Sequence, residues 1–137
     1  MKFSHYQELA GRTEKPLPTA VDRLVHAFMG LATEVGELGT PIKAAAIYNK
    51  PLLEVPEQVA NLREELGDLL WYVALAANAL GMNLDEIAEE NIAKLRARYP
   101  DRYSDEAAQA RADKATRDAL LQDILNQQGP SSTVIVN

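Results

Sequence analysis

The sequence predicts an all-α protein, an antiparallel bundle of four to five helices. Apolar residues recur at spacings of three and four over long stretches, which is typical of amphipathic helices. The alternation of apolar and polar residues that indicates strands is absent, apart from a short run at 133–136. Prolines and glycines divide the chain into segments of helical length.

The first two helices are separated by a proline-rich segment. A first helix covers residues 3–11, and Thr19 is the predicted N-cap of a second helix that runs to about Leu38. We expect Gly39-Thr40-Pro41 to break this helix, because proline disrupts a helix interior. A short helical piece then follows to Tyr48.

The third helix is predicted from about Glu57 to Leu80, after a loop that contains two prolines, with Gly81 as its C-terminal stop. Its second half is apolar on all sides, which is typical of a helix buried from several directions. Trp71 points away from the apolar stripe of the helix. We therefore expect a second packed surface there, namely a subunit interface.

A fourth helix runs from about Asn83, where a capping box is predicted, to Tyr99. Ser104 is the predicted cap of a fifth, more polar helix that ends near Gln128. Residues 129–137 are expected to form a flexible C-terminal tail.

Composition limits the class of protein. The length of 137 residues favours one domain, which we place at 1–128. The net charge of −6 argues against binding to nucleic acid or to a membrane surface, and the absence of cysteine excludes disulfides and thiolate metal sites. There is no signal-peptide pattern and no apolar run long enough to span a membrane, so we expect a cytoplasmic protein.

Two acidic pairs, Glu34-x-x-Glu37 and Glu65-x-x-Asp68, lie within strongly apolar helical patterns. Residues three apart share one face of a helix, so each pair projects from one side. Carboxylates that converge repel one another and require a positive partner. A hard divalent cation with oxygen ligands is the natural candidate.

A helical wheel places the acidic pairs relative to the apolar stripes. The stripe of the second helix centres near Phe28 and Val35, and that of the third near Leu66 and Val73. The acids of both helices lie to the same side of these stripes. If the stripes face each other in an antiparallel pair, four carboxylates edge one groove. A solvated acidic edge on an ordinary bundle is the alternative interpretation.

Basic and aromatic residues add candidates for substrate binding. Asn91, Lys94 and Arg98 form one row on the fourth helix, where they could hold phosphate oxygens or simply balance acids in solvent. Lys43 is a further phosphate ligand or a plain surface lysine. Tyr72 follows the second acidic pair by one turn, so it lines a sugar or base pocket or packs in the core.

A role in the site is supported by fewer observations for the two histidines than for the residues above. His5, together with Tyr6 on the first helix, is a further candidate to cover the base of a ligand. His26 falls off the acidic side of the second helix, so we interpret it as structural.

Together these residues resemble the MazG-like, all-α nucleoside triphosphate pyrophosphohydrolases. The segments that carry the resemblance are HAFMGLATEVGEL and REELGDLLWYVALAANALGMNLDEIAEENIAKLRARYP. The paired acids match the metal-binding signature of the family, and the later Asn-x-x-Lys-x-x-x-Arg row matches its phosphate-contacting element.

The resemblance implies Mg²⁺-dependent hydrolysis of a nucleoside triphosphate or its deoxy form to the monophosphate and pyrophosphate, with Mn²⁺ as an alternative metal. A metal-activated water would attack the α-phosphate, and Glu37 is our choice for the catalytic proton acceptor. The resemblance also implies a homodimer or homotetramer. Phosphoribosyl-ATP pyrophosphatase and a non-catalytic helical interaction module remain alternative functions. A di-iron carboxylate bundle is disfavoured because neither histidine follows a glutamate by three residues.

Overall fold

A computed structural model describes residues 1–114 and residue 118. This part of the chain contains helices and no strands. The elements, in order, are α1 (Phe3–Gly11), α2 (Ala20–Tyr48), α3 (Pro56–Leu80), α4 (Leu84–Arg98) and α5 (Asp105–Ala110). The all-α prediction is confirmed. The predicted tail and the apolar run at 133–136 lie outside the described residues. Within the described part, none of the helices is long and apolar enough to cross a membrane.

The N-terminus of α2 carries the predicted cap. The Thr19 hydroxyl accepts a hydrogen bond from the Asp22 backbone N–H at 3.1 Å, and the Asp22 carboxylate accepts one from the Thr19 N–H at 3.2 Å. This reciprocal capping box satisfies two of the backbone donors that a helix start leaves free.

The predicted break of α2 at 39–41 is wrong, because one continuous helix runs to Tyr48 with Pro41 in its interior. Proline removes a single backbone donor, the one that would bond the Glu37 carbonyl. The Thr40 hydroxyl donates to the Gly36 carbonyl at 3.0 Å and so adds a bond beside the interruption. The helix ends instead at Asn49, whose φ of 52° is left-handed.

The boundaries of α3 follow local signals, whereas the start of α4 also depends on a residue of α1. Pro56 occupies the first turn of α3, where a missing N–H has no cost, and Gly81 ends the helix with a φ of 67°. At the start of α4, the Asn83 side chain accepts from the Asp85 N–H at 2.8 Å. Gln7 of α1 accepts from the Leu84 N–H at 3.0 Å, so a distant glutamine completes this cap.

The fifth helix is shorter than predicted. Ser104 caps it as expected, accepting from the Ala107 N–H at 3.1 Å. Arg111, however, adopts a left-handed φ of 51°, which ends α5 at Ala110 rather than near Gln128. The chain is helical again at 112–114, and most of the remaining predicted helix lies outside the described residues.

The chain forms two compact units, Met1–Ile87 and a second one from Ala88 onward. In the first, α2 packs extensively on α3, and α1 packs on another side of α3. The buried apolar residues are mostly small: Ala10, Ala27, Ala74, Leu75, Ala77 and Leu84. The placement of one domain at 1–128 remains a prediction.

The predicted stripe-to-stripe packing of the second and third helices is wrong. Phe28 and Val35 are 58% and 60% exposed, and Leu66 and Val73 are 59% and 40% exposed. The helices meet instead at Gly30, where the Tyr72 ring occupies the space that a Cβ would need. A glycine lets a neighbouring element approach closely, so this contact sets the packed face and leaves the larger apolar residues outside.

Trp71 packs against other parts of its own chain. Its indole N–H donates to the Thr13 hydroxyl, just after α1, at 2.9 Å. Its ring also contacts His26 of α2. The second packed surface expected at Trp71 is therefore formed by the segment around α1 and by α2, and a subunit interface at this residue stays a prediction.

Candidate functional site

Helices α2 and α3 bring three carboxylates together. One oxygen from each of Glu34, Glu37 and Glu65 lies within 4.8 Å of the others, and we call these three residues the acid cluster. Oxygen ligands about 2.1–2.5 Å from a single ion lie at most about 4–5 Å from one another. The separations in the acid cluster therefore fit the first coordination shell of one divalent cation.

Glu65 is the buried member of the acid cluster, with 7% of its surface exposed. The pKa of its carboxyl is raised, first by burial, then by a hydrogen bond with Glu34 and by the negative charges of Glu37, Glu34 and Asp68. Each of these causes favours the neutral acid. A cation in the acid cluster would reverse this balance, because it would favour the ionised carboxylate.

Asp68 lies one turn after Glu65 and is exposed. Its charge raises the pKa of Glu65 and also, after burial, that of the Tyr6 hydroxyl on α1. Asp68 thus lies within electrostatic reach of the acid cluster, although it is not one of the three residues whose oxygens converge. Tyr6 faces the same charge, so α1 also contributes to the surroundings of the site.

An aromatic cluster adjoins the acids. The rings of His26, Trp71 and Tyr72 make edge contacts, with centroids 4.8 Å apart for Trp71 and Tyr72 and 5.7 Å apart for His26 and Tyr72. Tyr72 packs against Gly30, which precedes Glu34 by one turn of α2. The half-buried Tyr72 is therefore a packing residue of the α2–α3 contact, and its ring lies against both Gly30 and His26.

The basic row lies on α4, in the second unit. Asn91 and Lys94 are exposed. Arg98 forms a bidentate ion pair with Asp113, with two N–H···O hydrogen bonds of 2.6 Å. Asp113 is buried, and the Arg98 guanidinium lowers the pKa of its carboxyl to about 2. The structure therefore commits Arg98 to a partner within the chain, whereas Lys94 is exposed.

Lys43 is exposed on α2. Because α2 is continuous, Lys43 follows Glu34 by nine residues, which places it roughly 180° around the helix. A phosphate contact from Lys43 would require its side chain to reach around α2. The roles of Lys43, of the acids as metal ligands and of the basic row as phosphate ligands remain predictions.

Two neighbours of these candidates were not predicted. Asp113 neutralises Arg98 from fifteen residues away, and no local pattern in the sequence marks such a pair. His26 was assigned to the structure alone, yet it precedes Glu37 by eleven residues, close to three full turns of α2. That spacing puts His26 and Glu37 on one row of the helix, and it could have been read from the sequence.

Three comparisons place the chain among known proteins. The MazG nucleotide pyrophosphohydrolase domain matches residues 26–103, more than half of the chain. The Gene 37 protein of Mycobacterium phage L5 is 34% identical over 79 residues, which are 58% of this chain and 68% of that protein. The crystal structure of iMazG from Vibrio DAT 722 is similar with a TM-score of 0.51 and 30% identity, covering 72% of this chain and 98% of that one.

Proposed function

The chain belongs to the MazG nucleotide pyrophosphohydrolase family, and we propose that it is a Mg²⁺-dependent nucleoside triphosphate pyrophosphohydrolase of the cytoplasm. The reaction converts an NTP or dNTP and water into the monophosphate and pyrophosphate. The observation that carries this proposal is the convergence of Glu34, Glu37 and Glu65, with Asp68 at the edge. These four residues supply no positive charge, and the Mg²⁺ that accompanies a triphosphate would provide one.

The donor set fits a hard cation. All four side chains offer carboxylate oxygens, which suit Mg²⁺ and Mn²⁺, whereas Cys and His ligands that favour softer metals are absent from the set. When bound, Mg²⁺ would neutralise phosphate oxygens and lower the pKa of a coordinated water. We assign Glu34, Glu37, Glu65 and Asp68 as its ligands.

The carboxylates of the acid cluster differ in burial, and we assign them different roles. Glu65 is enclosed between the helices, so it anchors the ion from the interior. Glu37 is the exposed member and faces the side from which water and substrate can arrive. We therefore assign Glu37 as the residue that accepts the proton of the attacking water, in addition to its role as a ligand.

The remaining binding groups follow the family pattern. Lys94 and Asn91 are exposed and available to phosphate oxygens. Arg98 can serve a phosphate only if it shares its guanidinium with Asp113 or leaves it. Tyr72, held against Gly30, would form one wall beside the sugar.

A second copy of the chain is the proposed partner for the exposed apolar residues of α2 and α3. Phe28, Val35, Leu66 and Val73 are each at least 40% exposed, and they lie on the side of each helix that the acids do not occupy. Exposed apolar sets of this kind are typical of protein interfaces. We propose a homodimer or a homotetramer.

A pyrophosphate-release assay tests the function. We expect the wild type to form pyrophosphate from one or more NTPs or dNTPs with Mg²⁺ and to be inactive in EDTA. Glu37→Gln and Asp68→Asn should abolish release, whereas Glu64→Gln, the exposed neighbour of Glu65, should not. Including phosphoribosyl-ATP among the substrates distinguishes the proposed activity from that of a phosphoribosyl-ATP pyrophosphatase. Activity that persists in Glu37→Gln and Asp68→Asn would contradict the proposal.

A further inference from the structure

An open cleft of about 480 Å³ lies along the first half of α2, beside the segment that joins α1 to α2. Its volume falls within the range of small-molecule sites. Its walls are largely apolar, with polar groups from three side chains. The lining includes Leu17, Pro18 and Met29 among the apolar residues, and Lys15, Asp22 and His26 among the polar ones.

His26 is the unusual residue of this cleft. It makes no hydrogen bond with the described residues, and its Nδ1 is buried without a partner. An unpaired buried polar atom costs free energy, and a buried N–H without an acceptor is the rarer case. We therefore assign a ring proton to Nε2 and leave Nδ1 without one. The nitrogen that a ligand in the cleft can reach is then a hydrogen-bond donor.

The imidazole of His26 is held in orientation by its neighbours. Trp71 and Tyr72 contact it edge to face, with centroid separations of 6.2 and 5.7 Å and interplanar angles of 81° and 82°. Trp71 is itself tied by its hydrogen bond to Thr13. A donor on a ring fixed by packing can select a ligand at little entropic cost.

The cleft and the acid cluster lie along the same helix. His26 precedes Glu34 by eight residues, roughly 12 Å along α2, and it shares a row with Glu37. Tyr72 spans the interval, since its ring contacts His26 and packs on Gly30, one turn before Glu34. A ligand with phosphates at the acids would therefore extend its other end towards His26.

We propose that this cleft holds the base of the nucleotide and that the Nε2–H of His26 donates a hydrogen bond to an acceptor on the edge of the base. This inference rests on the proposed function for the position of the phosphates. Apolar walls with one oriented donor complement a nucleobase, which has apolar faces and a polar edge. His26 thus determines specificity rather than serving the structure alone.

Imidazole NMR tests the contact in the wild-type protein. The chain contains two histidines, so the His26 ring signals can be assigned by comparison with a His26→Phe spectrum. Titration with Mg²⁺ and α,β-imido analogues of the four dNTPs should shift the His26 Nε2 signal for at least one base. Mg²⁺ with inorganic tripolyphosphate, which lacks a base, should leave that signal unchanged. Equal shifts with both ligands, or no shift with any dNTP analogue, would overturn the inference.

Two variants test the hydrogen bond in the reaction. His26→Phe keeps a ring but removes the donor, and His26→Gln restores a donor without the ring. One hydrogen bond lost should raise KM for the preferred nucleotide about 3–10-fold with little change in kcat. His26→Gln should recover part of that loss, while the inhibition constant of tripolyphosphate should stay the same in all three proteins. A KM unchanged in His26→Phe, or tripolyphosphate binding weakened as much as nucleotide binding, would overturn the inference.

Failure of the inference is distinguishable from failure of the proposed function. If wild-type protein releases pyrophosphate but its His26 signal ignores nucleotides, the base lies elsewhere and the function stands. If His26 responds to nucleotides but no pyrophosphate is released, the cleft binds bases and the catalytic proposal fails.

Discussion

The acid cluster gathers charges of one sign between α2 and α3, whereas the end of α4 pairs opposite charges within the chain. In the acid cluster the pKa of Glu65 is raised by burial and by neighbouring carboxylates. In the pair, Arg98 lowers the pKa of Asp113 to about 2. Both sites have a buried carboxylate, with Glu65 and Asp113 each 7% exposed. The difference indicates that the acid cluster is arranged for a partner from outside and that the pair is already complete.

The largest expected effect comes from removing the buried charge of the acid cluster. Glu65→Gln should lower kcat/KM for pyrophosphate release at least about 100-fold, since even groups behind metal ligands are worth 10–100-fold. In EDTA the same variant should melt at a higher temperature than the wild type, because it relieves the repulsion around Glu65. Activity assays check the expected decrease in kcat/KM, and thermal melts check the expected increase in melting temperature. Glu64→Gln, the exposed neighbour, should change neither property. A Glu65→Gln protein that melts lower in EDTA would contradict the assignment.

The close approach at Gly30 holds together α2 and α3, the helices that carry the acid cluster, and does not involve the Arg98–Asp113 pair. Gly30→Ala places a Cβ where the Tyr72 ring lies, so we expect a loss of about 1–3 kcal/mol in the free energy of unfolding. Gly36→Ala is the matched control, because open space surrounds that position of the same helix. It should stabilise the protein by about 0.5–1 kcal/mol. Urea unfolding measures both, and equal effects would contradict the packing described at Gly30.

Breaking the pair should loosen the second unit locally. Asp113→Asn leaves the half-buried Arg98 without its ionised partner, so α5 amides should exchange with solvent roughly tenfold faster. Hydrogen exchange monitored by NMR measures this change. Stabilisation by Mg²⁺ should be the same as in the wild type. A variant that leaves α5 exchange unchanged would show that the ion pair does not hold this segment.

The smallest expected effects are opposite pH dependences in the metal-free protein. The pKa of Asp113 is about 2 in the folded state against 3.8 ordinarily, so its contribution is present above about pH 4 and lost as pH falls towards 2. The pKa of Glu65 is raised above 4.5, so its contribution is present below pH 4.5 and lost as pH rises through the folded value. Melting temperatures in EDTA from pH 2 to 7 measure both effects. The fall in stability towards pH 2 should be smaller in Asp113→Asn, and the fall in stability as pH rises above 4.5 should be smaller in Glu65→Gln. The same slope in a variant as in the wild type would contradict the corresponding assignment.

Features that depend on neighbours in the chain were predictable from the sequence. The Thr19 cap and the Gly81 stop follow from side-chain and backbone preferences of a few residues. The spacing of the acids was enough to place Glu34 and Glu37 on one side of α2, and Glu65 and Asp68 on one side of α3. Helix periodicity carries this information because it is a property of each segment alone.

Features that depend on distant residues were not predictable. The face on which α2 meets α3 is decided by Gly30 and Tyr72, which are far apart in sequence, and this contact overrode the apolar stripes. The Arg98–Asp113 pair forms across an intervening loop and helix. Pro41 did not break α2, because the favourable sequence on both sides continued the helix past one missing hydrogen bond.

The measurement that tests the central claim most directly is thermal unfolding with and without Mg²⁺ in the wild type, Glu65→Gln and Asp113→Asn. A ligand that binds only the folded state, at a hundred times its dissociation constant, stabilises by about 2.7 kcal/mol. The account predicts a Mg²⁺-dependent rise in melting temperature for the wild type and Asp113→Asn, and none for Glu65→Gln. An equal rise in all three proteins, or no rise in the wild type, would contradict the claim that the acid cluster is the metal site.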